Sequence, residues 1–180
     1  DGFTYSSKPH FDSDMFEWNL VKDVPNIKTK EFEYKKKVVN LIKLHGSVTW
    51  EKDENEDKIY RKDRKQVKLP VMVFPNSDKY SQSYAEPYFE LFYKFQELIN
   101  RPNTLLITTG FSFGDAHITS MVTRSIKNNH GLSVLITDYM IEPKNECWKS
   151  IELLKESGHP IVLLKSSFND LADYFEGAPR

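Results

Sequence analysis

Only one cysteine, Cys147, occurs among the 180 residues of this chain. A single thiol excludes an internal disulfide and a zinc site built from several thiolates, and it is typical of a protein of the reducing cytoplasm. The five histidines lack helical metal-ligand spacing, so we expect no metal. No apolar run approaches the roughly 20 residues that a membrane span needs, and no signal peptide is visible. We therefore expect a cytoplasmic protein with no membrane partner.

An excess of positive charge is absent as well. The chain has 25 lysines and arginines against 26 aspartates and glutamates, so electrostatics alone does not predict nucleic-acid binding. What the chain does contain is 39% hydrophobic and 28% charged residues, which is typical of a folded globular domain. Its length suits one domain with a substantial core. We predict a single domain over residues 1–180.

Short apolar runs alternate with amphipathic segments along most of the chain. The runs rich in Val, Ile and Leu predict buried strands at 38–44 and 104–109 and further strands at 133–137 and 161–165. The amphipathic segments predict helices at 84–100, 118–126 and 145–157. Strand, helix, strand, helix and strand with short links predict an α/β fold with a Rossmann-like, doubly wound parallel sheet.

Three other segments carry less information. Residues 1–30 show no sustained period and predict loop with short pieces of helix or strand. Residues 51–68 place acids first and bases second, which predicts an exposed hairpin or a mobile excursion. That stretch serves either as a substrate lid or partner surface, or simply as a solvated loop. The aromatic face of the helix at 84–100 is interpreted as core rather than as a cofactor-binding surface.

The first candidate for chemistry is His45, which follows the apolar run 38–44 and precedes Gly46. Open α/β sheets place their ligands at the carboxyl ends of strands. Gly46 removes side-chain bulk, so a substrate or a backbone segment can approach closely. An imidazole with a pKa of about 6.5 suits proton transfer at neutral pH. The alternative is that His45 only caps the strand and satisfies a loop carbonyl.

The second candidate is the segment 110–117, which lies between a predicted strand and a predicted helix. Phosphates and nucleotides are held at this position in such folds. Gly110 allows tight backbone geometry and Ser112 offers a hydroxyl. Asp115 is either the N-cap of the helix or, because a carboxylate repels pyrophosphate, a ligand of a ribose hydroxyl. His117 faces either the site or solvent. The segment is neither a dinucleotide fingerprint nor a P-loop.

The third candidate is Asp138, immediately after the predicted strand 133–137. A polar residue there reaches a ribose or an adenine edge, or it only begins a loop. The run from Lys165 to Ser167 is a weaker signal of the same kind. No Gly-x-Ser-x-Gly elbow predicts a hydrolase nucleophile.

Taken together, two motifs resemble the sirtuin-like NAD-binding family. Lys43-Leu44-His45-Gly46-Ser47 is followed by Trp50, and Gly110-Phe111-Ser112-Phe113-Gly114-Asp115 comes about sixty-five residues later. The resemblance covers roughly residues 38–175 and is nearest to the zinc-less branch found in bacterial anti-phage defence proteins. It implies a Rossmann-type sheet that binds NAD. It also implies that His45 is catalytic, that Gly110 and Ser112 contact the cofactor, and that Asp138 contacts the adenine ribose.

The chain departs from the family pattern in two ways. Sirtuin deacylases carry a four-cysteine zinc module after the His-Gly segment, whereas this chain has the charged stretch 51–68 there. This departure argues against protein deacylation, towards NAD hydrolysis and against a bound metal. The family's Gly-Ala-Gly phosphate loop and Asn-Asp segment are also absent from these residues. We therefore expect the chain to be the carboxyl-terminal part of a sirtuin-like domain, lacking half of the pocket.

The resemblance implies an NAD glycohydrolase that cleaves NAD to nicotinamide and ADP-ribose in bacterial anti-phage defence, as part of a longer protein. The partners it implies are NAD, further copies of the chain, and a partner ATPase or a phage-derived trigger. The alternative is a non-catalytic module that senses NAD or ADP-ribose, or assembles with and scaffolds a partner ATPase. Protein deacylation and ADP-ribosyl transfer are less favoured.

Overall fold

The computed structural model describes residues 1–23, 28, 33–73, 86–141 and 146–176. The chain divides into two compact units, Asp1–Phe95 and Gln96–Arg180. No helix in the described ranges is both long enough and apolar enough to cross a membrane.

In its described residues, the first unit contains a short helix, two small antiparallel sheets and the start of a longer helix. Its elements are helix α1 (Met15–Trp18), strands β1 (Val21–Asp23), β2 (Glu33–Tyr34), β3 (Trp50–Asp53) and β4 (Lys58–Arg61), and a 3₁₀ turn at Arg64–Gln66. Strands β1 and β2 form one antiparallel pair, and β3 and β4 form the other. Helix α2 (Tyr88–Ile99) begins in this unit and ends in the second.

The core of the first unit is an apolar cluster to which the charged stretch contributes. Phe3, Phe16, Trp50, Ile59 and Leu91 are buried together, and the Phe3 and Trp50 rings lie 5.2 Å apart. Two of these residues, Trp50 and Ile59, belong to the β3–β4 hairpin. The predicted hairpin is therefore present, but it is not exposed throughout, because Trp50 of β3 and the adjacent Ile59 and Tyr60 of β4 are buried.

The predicted strand at 38–44 is wrong, because none of these residues lies in a strand. Val39 is 91% exposed and Leu41 is 53% exposed, whereas Ile42 and Leu44 pack against the edge of the first-unit core. Strand propensity measures how well a side chain fits a paired, half-buried surface. No described strand pairs with this run, so its Val and Leu content does not produce a strand.

Helix α2 also begins later than predicted. It starts at Tyr88, directly after Pro87, whereas the prediction began at residue 84. Residues 84 and 85 lie outside the described residues. The predicted apolar face is confirmed as core, because Tyr88, Leu91, Phe92 and Ile99 are buried.

The second unit contains a three-stranded parallel sheet in the order β5–β6–β7. Its elements are β5 (Thr104–Thr109), α3 (Ala116–Asn128), β6 (Leu132–Asp138), α4 (Glu146–Glu156), β7 (Ile161–Lys165) and α5 (Leu171–Glu176). Each helix between two strands crosses over to return the chain to the same sheet edge, as parallel pairing requires. The α/β, Rossmann-like fold predicted from the sequence is thereby confirmed.

Along the strands of the parallel sheet, buried residues alternate with more exposed ones, so the two faces are not equally covered. Leu132, Val134 and Ile136 of β6 are buried, whereas Leu105 of β5 and Val162 of β7 are 54% and 59% exposed. The prediction that β5 is a fully buried strand is therefore wrong. Its continuous apolar run is typical of a sheet covered on both faces, but in this structure only every second side chain of β5 is partly buried.

Candidate functional site

The turn after β5 leaves an open stretch of backbone at the carboxyl edge of the parallel sheet. Gly110 has φ = +61°, in the left-handed region that favours glycine. A Cβ atom built on it would meet no atom of the described residues within 4 Å, apart from Gly110 itself and its two chain neighbours. The Gly110 N–H donates to the Thr137 carbonyl at 3.3 Å, which ties the turn to the end of β6. A ligand can therefore approach the Gly110 backbone directly, as a nucleotide requires at such an edge.

Phe113 anchors the loop that follows. Its side chain is 0% exposed, and its ring lies 4.8 Å from the Phe111 ring and 5.2 Å from the Trp148 ring, both edge to face. Its backbone φ is +54°, an uncommon value for a residue that is not glycine. The sequence did not predict this anchor, although an aromatic residue between Ser112 and Gly114 was the available signal.

Asp115 is the N-cap of helix α3. One carboxylate oxygen, Oδ1, accepts the backbone N–H groups of His117 and Ile118, each at 3.1 Å. The Thr119 hydroxyl donates to the Phe113 carbonyl at 3.2 Å and joins the helix to the anchored loop. The capping role considered from the sequence is confirmed. Because two of the first N–H groups of the helix are already bonded, the helix start keeps fewer donors for a phosphate.

Asp138 ends β6 beside the Gly110 turn. Strands β5 and β6 run in register with Thr109 opposite Thr137, so Gly110 and Asp138 follow neighbouring positions. The half-buried Asp138 side chain accepts the Met140 N–H at 3.1 Å, and its main-chain carbonyl accepts the Ser166 N–H at 3.1 Å. The side chain therefore turns the chain after β6 and also lies at the carboxyl edge of the sheet.

Ser112 completes the set of predicted residues in the second unit. Its hydroxyl accepts the Gly114 N–H at 3.3 Å, which closes the loop between Phe111 and Asp115. The structure thus brings Gly110, Ser112, Asp115 and Asp138 to the carboxyl ends of β5 and β6. No described group of three or more His, Cys, Asp or Glu side chains is placed to hold a metal ion.

His45 lies in the first unit, in a turn rather than at the end of a sheet strand. The residue is exposed. Its main-chain carbonyl accepts the Val73 N–H at 3.0 Å, so backbone pairing with the segment 71–73 holds the turn. This position corrects the prediction that a parallel strand delivers His45 to a ligand.

The absence of a side chain at Gly46 leaves room for another backbone segment. Its φ is +76°, and a Cβ atom there would lie 2.2 Å from the Val71 carbonyl oxygen. The Val71 oxygen accepts the Ser47 N–H at 3.0 Å, and Gly46 forms an isolated bridge with Met72. Of the two uses considered from the sequence, close approach of a substrate or of backbone, the structure shows the second.

Comparison with known proteins identifies the family. The fold and the edge just described define a nucleotide-binding type of α/β unit. A family model described as SIR2-like domain matches residues 11–163, and the chain belongs to this family. SIR2-like domains bind NAD, and members of the family are in general NAD-dependent enzymes. No curated protein matches the chain.

Proposed function

We propose that this chain is part of an NAD glycohydrolase, which cleaves NAD to nicotinamide and ADP-ribose. The observation that carries the proposal is the open Gly110 backbone beside Asp138 at the carboxyl edge of a parallel sheet, in a SIR2-like chain. Ligands of open α/β sheets bind at this edge. The absence of a side chain at Gly110 fits a cofactor that contacts the backbone itself.

The four residues of the second unit are proposed to bind NAD in different ways. Gly110 presents backbone to the cofactor, and Ser112 contributes a hydroxyl. Asp138 is proposed to accept a hydrogen bond from the adenine ribose, because a carboxylate suits hydroxyl donors better than phosphates. Asp115 uses Oδ1 for the helix cap, and a ribose hydroxyl is the ligand group proposed for this carboxylate as well.

His45 is the proposed general base. Water attacks the anomeric carbon of the nicotinamide ribose, and the bond to the nicotinamide nitrogen breaks with its electron pair leaving on nicotinamide. The imidazole takes the proton that water loses, so the ring changes from neutral to charged during the step. Proton transfer by a positioned side chain contributes about 10²–10⁴-fold to a rate. Positive charge builds on the ribose before water bonds, as in other glycosidic cleavages.

Hydrolysis is favoured over deacylation by the cysteine content. A four-cysteine zinc module cannot be built from Cys147 alone. In its place, this chain has the β3–β4 hairpin, whose apolar face is part of the first-unit core. A role in anti-phage defence, assembly into oligomers, and pairing with an ATPase or a phage-derived trigger are part of the same proposal, supported by the resemblance of the two motifs.

One observation favours a second candidate function, a non-catalytic module that binds NAD or ADP-ribose and scaffolds a partner ATPase. His45 is exposed and follows an unpaired segment rather than a sheet strand. A general base needs a defined position within hydrogen-bond reach of its proton. A sensing module needs only the cofactor edge of the second unit.

The two functions are separated by measuring nicotinamide release and NAD binding with the full-length protein that carries this chain. The variants are His45→Ala, Asp138→Asn and the control His130→Ala, which removes another exposed histidine. For a hydrolase we expect His45→Ala to lower nicotinamide release at least 100-fold with NAD binding retained, and His130→Ala to have no effect. Binding of NAD without any nicotinamide release in the unmodified protein would instead support the sensing module.

A further inference from the structure

A cavity of about 230 Å³ lies at the end of the second unit opposite the Gly110 turn. It is formed where the carboxyl-terminal ends of α2 and α3 meet, close to the start of β5. All of the described side chains around it are polar, and none of these is a carboxylate. They are Gln96, Asn100, Arg124, Ser125, Asn128 and Asn129.

Four main-chain carbonyls at this end of the unit accept hydrogen bonds from the protein. The Asn129 side-chain amide donates to the carbonyls of Ile99 at 3.0 Å and Arg101 at 2.9 Å. The Asn129 backbone N–H donates to the Ser125 carbonyl at 2.8 Å, and the Asn100 N–H donates to the Gln96 carbonyl at 3.1 Å. The negative partial charge of a helix end resides on unbonded carbonyls. These bonds therefore reduce the repulsion that an anion would meet here.

Most of the side-chain donors around the cavity, by contrast, form no hydrogen bond with the described protein. Within the part of the chain that the structure describes, the side chains of Gln96, Asn100, Arg124, Ser125 and Asn128 form no hydrogen bond or ion pair. Ser125 is only 2% exposed. Asn100, Arg124 and Asn128 are exposed, so their donors are open to solvent. A ligand with several acceptor atoms would take the place of water at these donors, and a hydrogen bond between an anion and a charged donor such as Arg124 is of the stronger, charge-assisted kind.

We propose that this cavity binds a small oxyanion, a carboxylate or a phosphate group. Among the described lining residues, only Arg124 is charged. The planar fork of its guanidinium matches two oxygens of such an anion. The amide groups and the Ser125 hydroxyl donate to the remaining oxygens. A nucleobase is a poorer fit, because the lining contains no aromatic side chain on which a base would stack.

The site is tested by titrating the chain separately with sodium phosphate and sodium acetate at constant ionic strength, with binding followed by amide NMR shifts. The variants are Arg124→Gln and Asn128→Ala. The control is Lys127→Gln, which makes the same charge change on the same helix outside the cavity. We expect saturable shifts at Ser125 and Asn129, and binding about tenfold or more weaker in Arg124→Gln, as the loss of a charge-assisted hydrogen bond predicts.

The two anions decide which oxygen chemistry the cavity prefers, and the control decides whether the cavity is a site. Equal weakening by Lys127→Gln and Arg124→Gln would show general charge screening and would overturn the proposal. Absence of saturable binding for both anions would overturn it too. If Arg124→Gln proves unfolded by circular dichroism, Asn128→Ala provides the same comparison without a change of charge.

Discussion

Replacing Gly46 and Gly110 by alanine, in separate variants, isolates the effect of crowding from that of backbone strain. Both glycines have positive φ, +76° and +61°, so each alanine carries the cost of the left-handed region, about 1–2 kcal/mol. The surroundings of the two glycines differ. A Cβ atom at Gly46 would lie 2.2 Å from the Val71 carbonyl oxygen, whereas one at Gly110 would have no such neighbour among the described residues within 4 Å.

The structure also gives the size of the difference between the two losses in the free energy of unfolding. Val71 would have to move by about 1 Å to restore ordinary contact with the new methyl group, because van der Waals contact begins near 3.4 Å. That shift breaks the bond from the buried Ser47 N–H to the Val71 carbonyl, which costs a further 1–3 kcal/mol or so. We therefore expect Gly46→Ala to lower the free energy of unfolding by about 2–5 kcal/mol, and Gly110→Ala by about 1–2 kcal/mol.

Urea unfolding followed by hydrogen–deuterium exchange measures both changes, because exchange reports the first and second units separately. The proposed function adds a second expectation, since the Gly110→Ala methyl group would project towards the cofactor. That variant should fold but bind NAD more weakly than the unmodified protein. Equal destabilisation by the two substitutions, or a larger loss for Gly110→Ala, would refute the assignment of Gly46 to close backbone approach.

Three further predictions concern packing, capping and pH. Phe113→Ala should lower the stability of the second unit by about 3–5 kcal/mol in urea unfolding, because a fully buried ring is lost; a loss below 1 kcal/mol would contradict its role as an anchor. Asp115→Ala should cost about 1 kcal/mol, whereas Asp115→Asn should keep most of the cap, and equal losses in thermal unfolding would contradict this. Burial raises the pKa of Tyr88 from 10.0 to about 12. The folded state therefore holds the Tyr88 proton at pH values where the unfolded state has lost it, and stability should fall as the pH rises from 10 to 12. Urea unfolding of Tyr88→Phe at these pH values should show a smaller decline, and an identical decline would exclude Tyr88 as its source.

The second unit could be predicted closely because its signals are local. The run Thr104–Thr109 is bounded by Pro102 and Gly110, and the next apolar run is separated from it by a helix with an Asp115 cap. Each element carries its own start and stop signal, and a parallel sheet follows from their alternation. The same reasoning located Gly110 and Asp138 at one edge, since neighbouring parallel strands end together.

The run 38–44 could not be predicted in this way. Its Val, Ile and Leu content is as strong a strand signal as that of β5, but a strand also needs a hydrogen-bonded neighbour. Among the described strands none pairs with it. Pairing is a non-local property, and the composition of seven residues carries no information about it.

By itself, the amino-acid sequence determined the α/β alternation, the amphipathic face of α2, the helix cap at Asp115 and the resemblance to a family that binds NAD. These features depend on periodicity, on local hydrogen-bonding chemistry and on short motifs, all of which are written in neighbouring residues. Folding, by contrast, brings the Val71 backbone against Gly46 and anchors the loop after Gly110 through Phe113. The tertiary structure alone decided these contacts, and also that His45 follows no strand. The physical reason is that each of these depends on atoms distant in sequence, which only folding brings into contact.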